Sequence, residues 1–127
     1  MRILAIDHGD ARAGTAICDP SGTIVRPLGV VSPPDVGELA KVAAEQEAEL
    51  VVVGLPVSLD GSERDQAATA RAFAAELAAM AAVPVETYDE RLTTRMAAES
   101  ARAGAGAPAD ALAAAHLLES YLQSKAR

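Results

Sequence analysis

The stretch Arg2-Ile3-Leu4-Ala5-Ile6-Asp7-His8-Gly9-Asp10-Ala11-Arg12-Ala13-Gly14-Thr15-Ala16-Ile17-Cys18 decides how this chain folds. Arg2 to Asp7 is a short apolar run ending on a carboxylate, and Gly14 to Cys18 is a second strand-like run. The glycine-bearing turn between them joins the two as a hairpin. A carboxylate at the end of a buried strand is costly unless it is paired, hydrogen-bonded or metal-bound. Asp7 is therefore a candidate functional residue. Asp89, Glu90 and Asp110 fall at other element boundaries, and together the four suggest a metal-dependent active site.

Working outward, Asp19-Pro20-Ser21-Gly22 is a strong turn, and Thr23 to Arg26 should return as a third strand. Ser32-Pro33-Pro34-Asp35 breaks the chain, and Asp35 followed by Glu38 starts a helix extending to about Ala48. Leu50-Val51-Val52-Val53 has the unbroken apolar, β-branched character of a central parallel strand. After a loop through Gly54-Leu55-Pro56, Ser62 can cap a long helix whose apolar face includes Ala70, Phe73, Leu77 and Met80. Val83 to Tyr88 is the fifth strand, its Pro84 suited to a sheet edge. A helix from about Thr94 to Ala103, a Gly104-to-Pro108 joint and a last helix from Ala109 to about Gln123 complete the order. The expected fold class is α/β: a mixed five-stranded sheet with helices on both faces, as one domain over residues 1–127. Asp7, Gly54 and Asp89 then lie at strand carboxyl ends, where such sheets place their sites.

Composition narrows the function. Only 2% of residues are aromatic while 50% are hydrophobic, so the core is built from Ala, Val, Leu and Ile. The net charge of −7 argues against nonspecific nucleic-acid binding by a basic surface. A local basic rim remains open, since Arg12, Arg64, Arg91, Arg95 and Arg102 fall near the candidate carboxylates. The lone Cys18 excludes an internal disulfide and a thiolate zinc cluster. The apolar run before Asp7 is too short for a signal peptide or membrane span, so a soluble cytoplasmic protein is expected.

Four blocks carry a family resemblance. They are Asp7-x-Gly9-x-x-Arg12-x-Gly14; Val52-Val53-Gly54-Leu55-Pro56 with Asp60-Gly61-Ser62-Glu63; Asp89-Glu90-Arg91-Leu92-Thr93-Thr94; and Asp110-Ala111-Leu112-Ala113-Ala114. In this order they resemble the YqgF/RuvX group of the ribonuclease H-like superfamily, across nearly the whole chain. The resemblance implies a ribonuclease H-like three-layer fold and a nuclease that matures the precursor of small-subunit (16S) ribosomal RNA. Holliday-junction resolution on branched DNA is the alternative the family suggests. Family members usually carry a basic stretch before the last block, whereas Ala103 to Ala109 here is uncharged.

The site expected on these grounds has Asp7, Asp89 or Glu90, and Asp110 as catalytic carboxylates. Asp7, Asp89 and Asp110 are the preferred ligands of Mg²⁺ or Mn²⁺, since hard divalent ions prefer oxygen donors. Asp89 and Glu90 are adjacent, so an extended strand points them to opposite faces. Gly9, Arg12, Arg64, Arg91 and Arg95 are the candidate substrate contacts. Thr93 and Thr94 could cap a helix whose N–H groups receive a phosphate. Asp110 could equally be a simple helix cap and Arg12 a solvated surface residue. His8 should face away from Asp7, and His116 lies off the Asp110 face of its helix, so neither is assigned a role. Expected partners are precursor ribosomal RNA, branched DNA or a ribosomal particle, with no membrane, for a monomer or homodimer. A noncatalytic assembly module is the competing reading, and the length excludes an actin-like phosphotransferase.

Overall fold

A computed structural model describes residues 1–56, 65–89 and 107–125, without the side chains of Asp65 and Gln66. The five strands are β1 (Ile3–His8), β2 (Ala13–Cys18), β3 (Val25–Val31), β4 (Leu50–Leu55) and β5 (Val85–Asp89). The described helices are α1 (Val36–Glu45), α2 (Asp65–Met80) and α3 (Ala109–Lys125). The expected helix from Thr94 to Ala103, the Gly104–Gly106 part of the joint and the Ser62 cap lie outside the described residues.

The sheet order is β3-β2-β1-β4-β5. β1 pairs antiparallel with β2 and parallel with β4, and β4 pairs parallel with β5. The chain leaves β1 toward β2 and returns through α1 on the other side. The carboxyl end of β1 is thus a topological switch point, where open α/β sheets place their sites.

Alternation along the strands sends side chains to two cores. Leu4, Ile6, Ile17, Val51 and Val53 pack with Leu39 of α1 and Phe73 and Leu77 of α2. Ile3, Ala5, Cys18, Leu50 and Val52 pack with Leu117, Leu118 and Tyr121 of α3. β4 is buried along its whole length, as its unbroken apolar run requires. This is the expected three-layer fold, with helices on both faces of a mixed sheet.

Several boundaries differ from expectation: β5 starts at Val85 rather than Val83, the last helix runs to Lys125, and two other differences have a local cause. β3 begins at Val25 rather than Thr23, because the Asp19 carboxylate accepts hydrogen bonds from the N–H groups of Thr23 (2.8 Å) and Ile24 (2.7 Å) and holds them in the turn. The left-handed Gly22 (φ 74°) completes that turn. β3 then runs through Pro27 to Val31, which its edge position tolerates. Helix α1 stops at Glu45 rather than Ala48, since Glu47 takes a positive φ of 55°. Its start is as expected: the Asp35 carboxylate accepts from the Glu38 N–H at 2.9 Å. Met80, expected on the buried face of α2, is 59% exposed at the helix end.

Candidate nuclease site

The pleat of the sheet determines which candidates can meet. Ile3 and Ala5 face α3, so Asp7, two residues further along β1, faces α3 as well. Its partner across the ladder is Gly14 of β2, on the same face. A Cβ placed on Gly14 would lie 1.8 Å from the carbonyl oxygen of Asp110 and 2.8 Å from the nitrogen of Ala111. The first turn of α3 therefore rests directly on the Gly14 backbone. Ala16, the next residue of β2 on that face, packs against Ala114 and Ala115. This run of minimal side chains lets α3 approach the sheet closely and sets Asp110 beside the end of β1.

Asp7 and Asp110 are each partly exposed, on one face, at the switch point. Asp110 is the second residue of α3, where the helix dipole favours a negative charge. Its carboxylate meets the Arg12 guanidinium: Arg12 Nε donates to Asp110 Oδ2 at 2.5 Å. Arg12 lies in the β1–β2 turn, which is closed by the Gly9 N–H donating to the Arg12 carbonyl at 2.9 Å. Arg12 is thus the ion-pair partner of Asp110 while remaining 58% exposed, and Gly9 lies in the same turn two residues beyond Asp7.

Asp89 is placed differently. Tyr88 packs with the α3 core, and the Glu86 carboxylate accepts from Tyr121 of α3 at 3.0 Å. Val85 packs on the opposite core. Alternation therefore assigns Asp89, like its partner Leu55, to the α1/α2 face, away from Asp7 and Asp110. Among the described residues, no three His, Cys, Asp or Glu side chains come together as a metal-binding group. Strand geometry thus does not place Asp89 on the face of Asp7 and Asp110. Glu90, Arg64, Arg91, Arg95, Thr93 and Thr94 lie outside the described residues.

A divalent ion is compatible with the two carboxylates that share this face. Two partly exposed carboxylates offer hard oxygen donors and leave room for water and phosphate oxygens, the usual coordination of Mg²⁺. Neither histidine competes for that role. His8 turns away from Asp7, as expected, and stacks on Phe73 with ring centroids 4.4 Å apart. Burial lowers its pKa against the opposing pull of Asp10 and Asp7. His116 is buried in α3, its Nδ1 without a hydrogen-bond partner among the described residues, and burial lowers its pKa too. The sequence signal for the Arg12–Asp110 contact was present only as two separate motif residues. Nothing in it marked Gly14 as the seat of a helix rather than of a ligand or strand.

Comparisons with known proteins bear on the family and the fold. A protein of Anaeromyxobacter sp. (strain Fw109-5) named "Putative pre-16S rRNA nuclease" is 43% identical over 136 residues, covering 98% of both chains. One of the same name from Streptomyces coelicolor is 48% identical over 107 residues, covering 80% of this chain and 64% of the relative. Among solved structures, Thermus thermophilus RuvC in complex with a Holliday junction substrate superposes with a TM-score of 0.65 at 21% identity, covering 98% of this chain and 96% of that one. The fowlpox virus Holliday junction resolvase superposes with a TM-score of 0.61 at 14% identity, over 98% of this chain and 99% of that one. At these identities the two structures establish the shared fold. The model of the RuvX family, described as Holliday junction resolvase, matches residues 1–124, and this chain belongs to that family.

Proposed function

We propose that this chain is a metal-dependent nuclease that hydrolyses phosphodiester bonds in structured RNA, acting at the 5′ end of precursor 16S ribosomal RNA. The observation that carries the proposal is the placement of Asp7 and Asp110 on one face at the switch point, in a chain 43% identical to a relative of that name. Asp7 and Asp110 would hold Mg²⁺ or Mn²⁺, which would supply a Lewis acid and lower the pKa of a bound water. Asp89 or Glu90 is the candidate for a further ligand. Asp7 and Asp110 would then set the position of the cation, with Gly14 letting the start of α3 lie close to the end of β1. Arg12, at the rim, meets the phosphate backbone, with Arg64, Arg91 and Arg95 as further candidates. The whole of residues 1–127 acts as one domain in the cytoplasm, as a monomer or homodimer, and no described helix is long and apolar enough to cross a membrane.

The family description favours a second reading, cleavage of branched DNA by a symmetric dimer. The net charge of −7 implies weak, salt-sensitive binding in either case, and a ribosomal particle could supply the missing affinity. The test is cleavage of a structured precursor ribosomal RNA and of a four-way DNA junction with Mn²⁺, Mg²⁺ or EDTA. Metal-dependent RNA cutting that is lost in folded Asp7→Asn supports the proposal. Preferential junction cutting transfers it to the resolvase reading. An intact RNA and junction, even with precursor ribosomal particles added, would leave a noncatalytic assembly module.

A further inference from the structure

The ion pair between Arg12 and Asp110 places a permanent cation on one of the two carboxylates proposed to hold metal. A guanidinium stays charged at all accessible pH, so this neutralisation of Asp110 does not depend on protonation. A divalent ion on the same carboxylate would lie within a few ångströms of the guanidinium, and two like charges at that range repel. The two cations would therefore compete for Asp110 electrostatically, although Arg12 engages only its Oδ2.

The local structure permits one of them to leave. The Arg12 backbone is fixed, since its carbonyl accepts from the Gly9 N–H and the next residue, Ala13, enters the β2–β3 ladder opposite Val31. The side chain is 58% exposed, and its guanidinium is held by Asp110 among the described residues. Asp110 is held from behind, its carbonyl lodged on Gly14. The contact thus joins a carboxylate on a fixed helix start to a cation that can turn outward into solvent, at the rim where a phosphate backbone would arrive.

We propose that Arg12 is an exchange cation for the site: it occupies Asp110 before metal binds, is displaced by the metal, and then engages a phosphate of the incoming strand. The proposal rests on the metal-site reading above and adds a competition internal to the chain. An alternative is a plain clamp, in which Arg12 ties the β1–β2 turn to α3 and helps to shape the site. The two differ in sign. Loss of a clamp weakens metal binding, whereas loss of a competitor strengthens it.

The experiment titrates Mn²⁺ into wild type, Arg12→Gln and Asp7→Asn, following free Mn²⁺ by electron paramagnetic resonance, with urea midpoints confirming folded protein. Arg12→Gln should bind Mn²⁺ about two- to fivefold more tightly, the scale of one exposed ion pair removed. In Ca²⁺, the same variant should bind a short RNA more weakly than wild type does. Mn²⁺ affinity that is unchanged or reduced in Arg12→Gln, with wild-type binding intact and lost in Asp7→Asn, overturns the exchange and leaves the metal site standing. Absence of Mn²⁺ binding in wild type and Arg12→Gln alike overturns both. A tighter site without the loss of RNA affinity overturns the phosphate half of the proposal.

Discussion

Replacing Gly14 by alanine tests whether the seat of α3 assembles the site. The added Cβ would meet the Asp110 carbonyl oxygen at 1.8 Å and its carbonyl carbon at 2.2 Å. Real Cβ contacts are not shorter than 3.0 Å, so the helix start must retreat by at least 1.2 Å, the gap between those distances. The obstructing atoms are backbone within a helix, which cannot swing aside as a side chain can. Overpacking of this kind costs about 1–3 kcal/mol, occasionally more, and a backbone obstacle puts Gly14→Ala near about 3 kcal/mol. At a urea dependence of about 1.5–2 kcal/mol per molar, that lowers the unfolding midpoint by roughly 1.5–2 M. The control is Gly29→Ala in β3, where an added Cβ meets nothing within 4 Å. There, the smaller entropy of the unfolded alanine chain should leave stability unchanged or raised by about 0.5 kcal/mol. Any folded Gly14→Ala protein should also bind Mn²⁺ more weakly, because Asp110 has moved away from Asp7. Equal urea midpoints for wild type and Gly14→Ala, with Mn²⁺ binding retained, would refute the reasoning.

Two further outcomes follow from local chemistry. Asp35→Ala removes the carboxylate that accepts from the Glu38 N–H at the start of α1, and should cost about 1 kcal/mol in urea unfolding, with Asp35→Asn largely restoring it. Tyr121 is pushed up to about 12 by burial first, then by its hydrogen bond to Glu86 and that carboxylate's charge. The fold therefore favours the neutral phenol: this contribution is intact below the ordinary tyrosine value near 10 and is lost as pH rises through about 12. Thermal unfolding between pH 9 and 11.5 should show a steeper alkaline decline in wild type than in Tyr121→Phe, and parallel curves would contradict it.

Much of the fold was legible because its causes are local. Alternation and β-branching mark β1, β2 and β4, the Asp35–Glu38 pair marks the start of α1, and Pro84 marks β5 as an edge. Where the start of β3 slipped, a side chain had intervened in the backbone's hydrogen bonding. Asp19 captures two N–H groups that a third strand beginning at Thr23 would have needed, and no run of propensities shows that.

The candidate site divides along the same line. The sequence by itself identified Asp7, Gly9, Arg12, Gly14 and Asp110 as residues of interest, because strand ends, turns and helix starts are local events. Only the tertiary structure decided which of them meet. Asp7 and Asp110 are 103 positions apart in sequence, and they converge because residues opposite each other in a ladder share a face and Gly14 has no side chain to keep α3 away. The same pleat turns Asp89 from them, since the face a strand residue occupies depends on what packs against its neighbours. Tyr88 and Glu86 meet α3, and that long-range contact fixes the phase of β5.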